Sequence, residues 1–241
     1  MTEYVDIHCH WIPGVDDGAR NLSETIELLT ELGQVGFGHV IATPHMRPGL
    51  FDNDAPGLRA AFQETVARLQ GTNGLPDTGL SAEHYFDDIV FGRLRSGNAL
   101  PYPGARAALL EFYEIDFPYT VDRRLAQLKR EGLLPVIAHP ERYRPIWRSA
   151  DVLERLVDVG AAPLLDIAAL VGKYGRRVAR SAEELLERGL YQAACSDAHR
   201  PEDVRQVAAG IDWLAREYGD DELRALLVEG PAAILRGERP G

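Results

Sequence analysis

Apolar and polar residues alternate along this chain in two rhythms. Short runs of period two, or of continuous apolar character, lie near Tyr4–His8, His39–Thr43, Leu75–Ala82, Ala107–Phe112, Leu134–Ala138, Ala162–Ile167 and Tyr191–Cys195. These read as strands. Between them, apolar positions recur at helical spacing over Leu22–Val35, Gly57–Leu69, Ile89–Ser96, Val121–Glu131, Ala150–Val159, Val178–Glu187 and Pro201–Glu217. Asn21 and Ser23 precede the first helical stretch, Ser149-Ala150-Asp151 opens the fifth, and Gly132, Gly160 and Gly189 follow three others, as start and stop signals do. Residues 71–79 read as a surface loop leading into the third strand. Leu223–Arg236 reads as a closing helix pair broken at Gly230-Pro231.

Strands alternating with helices predict parallel βαβ units, an α/β fold without an internal boundary, and hence a single domain over residues 1–241. Seven strands suggest a TIM-like barrel with one strand fewer than the usual eight. An open doubly wound sheet is the competitor, and periodicity does not separate the two.

Composition narrows the function classes. With 26 Lys+Arg against 37 Asp+Glu, the formal net charge is −11, so no basic excess is available to replace the counterions of nucleic acid or an anionic membrane. Three bound divalent cations would bring that charge to about −5. The two cysteines, Cys9 and Cys195, each fall in an expected buried strand and suggest no disulfide framework. Neither a signal peptide nor a transmembrane stretch is legible, so a cytoplasmic location without membrane insertion is expected.

The candidate chemistry sits at the strand ends, where parallel β/α folds collect it. In Asp6-Ile7-His8-Cys9-His10, residues i and i+2 share a side of an extended strand, so His8 and His10 aim together and Cys9 aims away. Asp17 follows in the next turn. The second expected strand ends at His45, the third at Glu83, the fourth at Glu111, the fifth at His139-Pro140-Glu141-Arg142 and the seventh at Ser196-Asp197-Ala198-His199. The sixth ends at Asp166, the least convincing of the set. Five of the seven histidines thus fall at strand ends, whereas His39 opens a strand and His84 points away from Glu83; both read as structural. Imidazole and carboxylate without thiolate favour ions such as Mn²⁺, Zn²⁺ or Fe²⁺. Nine candidate ligands are too many for one ion and suit a cluster bridged by a carboxylate.

With these motifs in order along nearly the whole chain, the sequence resembles the PHP (polymerase and histidinol phosphatase) superfamily. Asp6–His10, Asp16-Asp17-Gly18, Ala42-Thr43-Pro44-His45, His139–Arg142 and Ser196–His199 carry the resemblance. Within the superfamily it looks most like the bacterial metal-dependent protein-tyrosine phosphatases encoded with capsular and exopolysaccharide genes. The resemblance implies a distorted seven-stranded β/α barrel with a trinuclear centre, manganese being the expected metal. By motif, His8, His10, Glu83 and Asp197 would hold the first ion. Glu83 would bridge to a second that also takes Glu111 and His139, and Asp17, His45 and His199 would hold the third. Arg142 and His45 are the expected catalytic residues, and Arg142 and Arg47 the expected substrate contacts. The implied partner is a phosphotyrosine protein such as a bacterial tyrosine kinase of exopolysaccharide synthesis.

Two stretches depart from the family pattern: Leu80-Ser81-Ala82-Glu83-His84-Tyr85 lacks its glycine-rich approach, and Leu165–Gly175 lacks its small polar strand end. The implied mechanism is attack on phosphorus by a hydroxide bridging the metals, with Arg142 neutralising the phosphate oxygens. A cysteine phosphatase needs an arginine six residues after its cysteine; Val15 and Pro201 stand at those positions. The alternatives are a small-molecule phosphatase of the histidinol-phosphate type, action on a nucleic-acid 3′ end, and a non-catalytic metal-bound module for protein interaction. Trp11, Tyr102, Tyr113, Tyr143 and Trp147 are candidates for a substrate rim or interface, with core packing as the other reading.

Overall fold

The computed structural model describes residues 3–239. Strands β1 (Tyr4–Cys9), β2 (Phe37–Ala42) and β4 (Asp77–Leu80) form one parallel sheet in the order β1-β2-β4. Strands β3 (His45–Met46), β5 (Glu83–Tyr85), β6 (Ala107–Glu111), β7 (Leu134–Ala138), β8 (Ala162–Asp166) and β9 (Ala193–Cys195) form a second, also wholly parallel.

The extra strands arise from interruptions. Pro44, which has no N–H to give a ladder, separates β2 from β3. At Ser81-Ala82 the third run turns aside: the Ala82 N–H and Ser81 Oγ both donate to the Leu100 carbonyl, and β5 resumes beside β3. The two sheets therefore continue one another. The segment just after β9 pairs with the end of β1: Cys9 bridges Ala198, the Asp197 N–H donates to His8 O at 3.0 Å, and the His10 N–H donates to Ala198 O at 2.9 Å.

Period-two alternation divides the strand residues between two apolar clusters. Ile7, Ile41, Leu109, Val136, Leu164 and Cys195 pack together with Ile234 on the inner face. Cys9, Val40, Leu110, Ile137, Leu165 and Ala194 face the surrounding helices. Both faces are thus buried, the usual state of a parallel sheet covered by crossover helices.

The helices are α1 (Leu22–Val35), α2 (Ala55–Leu69), α3 (Asp88–Ser96), α4 (Val121–Arg130), α5 (Arg144–Arg148), α6 (Asp151–Asp158), α7 (Arg176–Glu187), α8 (Val204–Arg224) and α9 (Gly230–Leu235). Asn21, Asp54 and Asp87 cap α1, α2 and α3 through their side chains. The short α5 is absent from the pattern-based expectation because five residues carry too little periodicity to read.

The tail differs from the sequence expectation. No break occurs at Gly230-Pro231; a π-type turn over Ala225–Glu229 joins α8 to α9 and absorbs the hydrogen bond that Pro231 cannot make. The break lies at Gly219, whose φ of 85° and ψ of 174° are open to glycine at little cost. Three aromatic residues proposed for a rim are core residues instead. Trp11, Tyr102 and Tyr143 are fully buried, and the Tyr102 hydroxyl donates to Ile7 O at 2.7 Å.

Where α8 crosses the turn at Ile167–Val171, Gly210 lies against the Ile167 backbone, and an added methyl would run into that carbonyl. Gly210→Ala gains roughly 1 kcal/mol of helix propensity but costs about 3 kcal/mol of overpacking against backbone. The variant should therefore unfold several degrees below the parent, about 4–8 °C for a net loss near 2 kcal/mol. Thermal denaturation checks this, and an unchanged or raised midpoint would contradict the close packing.

Candidate metal centre

Each candidate ligand reaches the site from the carboxyl end of a strand or the loop beyond it. His8 and His10 project to one side of β1, their Nε2 atoms 3.2 Å apart, while Cys9 packs on the outer face. Glu83, at the start of β5, lies among four of the histidines. Its Oε1 is 2.9 Å from His139 Nε2; its Oε2 is 2.9 Å from His45 Nδ1, 3.4 Å from His8 Nε2 and 3.5 Å from His10 Nε2. Asp197 Oδ1 is 3.2 Å from His8 Nε2 and 3.5 Å from His10 Nε2. Asp17 Oδ1 sits 3.4 Å from His45 Nε2 and 3.6 Å from His199 Nε2, and Glu111 Oε2 is 3.7 Å from His45 Nδ1.

All nine sequence-predicted ligands therefore meet. They form four overlapping sets with metal-ligand spacing: His10, Asp17, His45 and His199; His8, His10 and Asp197; His8, Glu83 and His139; His45, Glu83 and Glu111. Asp166, the weak sixth strand end, is in none of them; it is buried and spends Oδ1 on the Ala168 N–H. His84 turns the other way, with Nδ1 on Leu109 O and Nε2 accepting from the Leu100 N–H.

The donors fit cations better than they fit one another. Glu83 Oε2, Asp197 Oδ1, Glu111 Oε2 and His45 Nδ1 are buried and make no aligned hydrogen bond, although Glu83 and His45 approach to 2.9 Å. Buried polar atoms that converge without aligned hydrogen bonds are costly unless a positive charge compensates. Two candidate residues also hold unfavourable backbone: His139 (φ 34°) and Asp197 (φ 43°) account for two of the three non-glycine residues with positive φ among the described residues. Each such residue costs about 1–3 kcal/mol, a strain that clusters at functional sites.

Charge is distributed unevenly. Burial disfavours the His10 imidazolium, but the Asp16 charge and hydrogen bond outweigh it and push His10 up to about 10. Burial is likewise overcome at His45, which Glu83 and Asp17 raise to about 12. His139 falls to about 4 through burial and the Arg142 charge, and His199 falls to about 4 through burial and the charge of His10. Glu111 rises to about 7 from burial and the neighbouring Glu83 charge.

On the rim, half-buried Arg142 pairs with Asp197 Oδ2 and lies 4.6 Å over the Tyr174 ring. Arg47 lies 4.1 Å over Tyr85. Both arginines line a cleft of about 420 Å³ that opens onto Asp17, His45, Glu83 and Glu111. Phe51 closes one side, stacked on His45 with centroids 5.2 Å apart.

Sequence reasoning missed the residues that hold the ligands. Asp16 accepts from His10 Nδ1 at 2.8 Å and from the His45 N–H at 3.1 Å, fixing one ring and the next strand together. Asp6 accepts from the backbone N–H groups of His8 and Ser196 and from Ser196 Oγ, joining the first strand end to the last. Asp203 accepts from the His199 N–H, and Glu141 from the Asp166 N–H and the Tyr191 hydroxyl. The only signal for Asp6 was its alternation with His8; for Asp16 it was adjacency to Asp17 in a turn whose side-chain directions no periodicity sets.

Comparison with known proteins places this geometry. The family described as capsular polysaccharide synthesis, CpsB/CapC, matches residues 4–236. The chain is 29% identical to the tyrosine-protein phosphatase YwqE of Bacillus subtilis (strain 168) over 239 residues, covering 97% of this chain and 92% of that one. It is 25% identical to the tyrosine-protein phosphatase CpsB of Streptococcus pneumoniae, covering 96% and 98%. A crystal structure from work on YwqE and CpsB, described as unique metal-dependent tyrosine phosphatases, superposes with a TM-score of 0.90 at 29% identity, covering 98% of this chain and 96% of that one.

Imidazole must be neutral to coordinate, and His10 and His45 hold protons at pH 7 in the metal-free protein. Cation binding should therefore release about two protons at pH 7, and apparent affinity should rise with pH. Calorimetric titration of Mn²⁺ into chelator-stripped protein, in buffers of differing ionisation enthalpy, checks this; identical heats in both buffers would contradict it. The stability of the metal-free state runs the opposite way with pH. Because His10 is raised from 6.5 to about 10, its stabilising contribution is full below 6.5 and is lost as pH climbs through about 10. Asp16→Asn, which weakens the hold on His10, should lower cation affinity by about 10–100-fold in the same titration. An unchanged affinity would show that Asp16 does not orient the ring.

Proposed function

The chain belongs to the CpsB/CapC family of capsular polysaccharide synthesis, and from that premise we propose that it is a metal-dependent protein-tyrosine phosphatase. The observation that carries the reading is the convergence of nine imidazole and carboxylate side chains around buried Glu83, beside a cleft walled by two arginines. We assign His8, His10, Glu83 and Asp197 to one ion, Glu83, Glu111 and His139 to a second, and Asp17, His45 and His199 to a third. The mixed nitrogen and oxygen donors favour Mn²⁺, with Zn²⁺ or Fe²⁺ as alternatives. His45 lies against both Glu83 and Asp17, which supports its place at the junction of two of these sets.

Divalent cations held there supply charge for phosphoryl oxygens and lower the pKa of coordinated water towards neutrality. The protein's own groups do the rest. Arg142, fixed between Asp197 and the Tyr174 ring, presents its guanidinium at the cleft wall for phosphate oxygens. Arg47 faces the same space from the loop after His45. Glu83 and Asp197 hold His8 and His10 in place on one side, and Asp16 holds His10 from behind. A departing tyrosine phenol has a pKa of about 10, so it needs less protonation than an alkoxide.

A cysteine nucleophile is disfavoured. Cys9 and Cys195 are buried and donate to the carbonyls of Ala198 and Leu165, and burial pushes both thiols up, away from the reactive thiolate.

The same reading takes the two sheets as one distorted seven-stranded barrel, supported by the Cys9–Ala198 bridge, and the chain as a single domain. Among the described residues no helix is long and apolar enough to cross a membrane. We place the enzyme in the cytoplasm, acting on a tyrosine kinase or a related protein of exopolysaccharide synthesis.

A substrate panel tests the proposal. The Mn²⁺-loaded protein should hydrolyse a phosphotyrosine peptide well above histidinol phosphate or a single-stranded DNA 3′ end, and His10→Ala should reduce kcat/KM by at least about 100-fold. Preference for histidinol phosphate or DNA, or an equally active His10→Ala protein, would overturn it.

A further inference from the structure

A second depression adjoins the metal cleft. It encloses about 400 Å³ and is built by Tyr85, Phe86 and the start of α3 on one side and by Tyr113, Asp116 and Phe117 of the loop before α4 on the other. It meets the cleft through shared structure. Arg47, which lines the cleft, lies over Tyr85, which lines the groove. Glu111, at the cleft floor, accepts the Phe86 N–H on its carbonyl at 2.8 Å and is followed two residues later by Tyr113.

Two observations describe what the groove would take. Six large hydrophobic side chains are prominently exposed among the described residues; Tyr113 lines this groove, Leu50 lines the cleft, and Ile89, Ile115 and Tyr119 sit in the segments around the groove without lining it. Such concentration of exposed apolar area marks an interaction surface. The lining charge is acidic: Asp87, Asp88 and Asp116 against Arg124, which is already paired with Asp88. Asp87 and Asp116 each accept one backbone N–H, leaving carboxylate lone pairs free. The rim therefore changes sign within a short distance, from Arg47 and Arg142 at the cleft to Asp87 and Asp116 in the groove.

Resting on the phosphatase reading above, we propose that this groove is a docking site for the polypeptide flanking the phosphotyrosine, and that it selects a Lys or Arg next to an apolar side chain. A phosphate at the metal end and a basic, apolar flank at the other match the charge and the exposed apolar area together. On this proposal a free aryl phosphate, having no flanking peptide, makes no use of the groove.

The test uses the Mn²⁺-loaded full chain with p-nitrophenyl phosphate and two phosphotyrosine peptides that differ only in flanks, Lys-Leu-rich against Glu-Ser-rich. The parent should show a KM about fivefold lower for the basic peptide, the scale of one or two rim contacts. Asp116→Lys should abolish or invert that preference, and Tyr113→Ser should raise KM for the basic peptide about threefold. Both side chains are exposed, and both variants should keep the parent melting temperature and turnover of p-nitrophenyl phosphate. If the peptides are hydrolysed with equal KM, or the variants alter aryl phosphate turnover as much as peptide turnover, the docking site is overturned and the phosphatase reading stands. If the parent hydrolyses none of the three substrates, both fall together.

Discussion

The Glu83 carboxylate, withdrawn from solvent and pressed against His8, His10, His45 and His139, is the constraint around which the rest of the structure is arranged. A buried carboxylate costs several kcal/mol unless charge or hydrogen bonds compensate it. Here Asp197 and Glu111 stand nearby and enlarge the deficit. The histidines offset part of it, and the uneven proton affinities of His10, His45, His139 and His199 follow from how each ring is placed between acidic neighbours, Arg142 and one another. Divalent cations held there would resolve the same deficit more completely, bringing more charge per site to the lone pairs that have no partner.

The scaffold holds that arrangement at some local cost. His139 and Asp197 occupy left-handed backbone at the ends of β7 and β9, where an ordinary strand exit would aim them elsewhere. The alternating inner and outer apolar faces provide the rigidity that sustains it, and the links between Asp6, Ser196 and His8 tie the first strand end to the last. Asp16 performs the same task for His10 and the start of β3. Most of the ligands thus lie at or just beyond strand ends that are fixed from both sides, and Asp17 alone stands well out in the turn after β1.

Much of this was legible in the sequence, for particular reasons. Period-two alternation put His8 and His10 on one side of a strand, and strand ends marked by His45, Glu83, Glu111, His139 and Asp197 stood out because carboxylates and imidazoles seldom terminate apolar runs. What stayed hidden depends on long-range geometry. The interruption at Ser81-Ala82 comes from pairing with Leu100, not from local propensity, whereas Pro44 marks the other one in the sequence itself. Trp11, Tyr102 and Tyr143 carry polar tips that suit a rim or a core equally in sequence; only packing decides, and it buries them. The helix break at Gly219 rather than Gly230-Pro231 depends on α9 docking against the strands, where Gly230 leaves no room for a side chain beside Gln192.

Anomalous diffraction from crystals of the protein purified with its native metals, recorded on both sides of the manganese edge, addresses the proposed polynuclear centre most directly. The account predicts strong anomalous peaks within about 2.0–2.3 Å of His8, His10, Asp17, His45, Glu83, Glu111, His139, Asp197 and His199, with Glu83 shared between two of them. Absence of peaks in metal-replete crystals, or peaks on other side chains while these nine face apart, would contradict it.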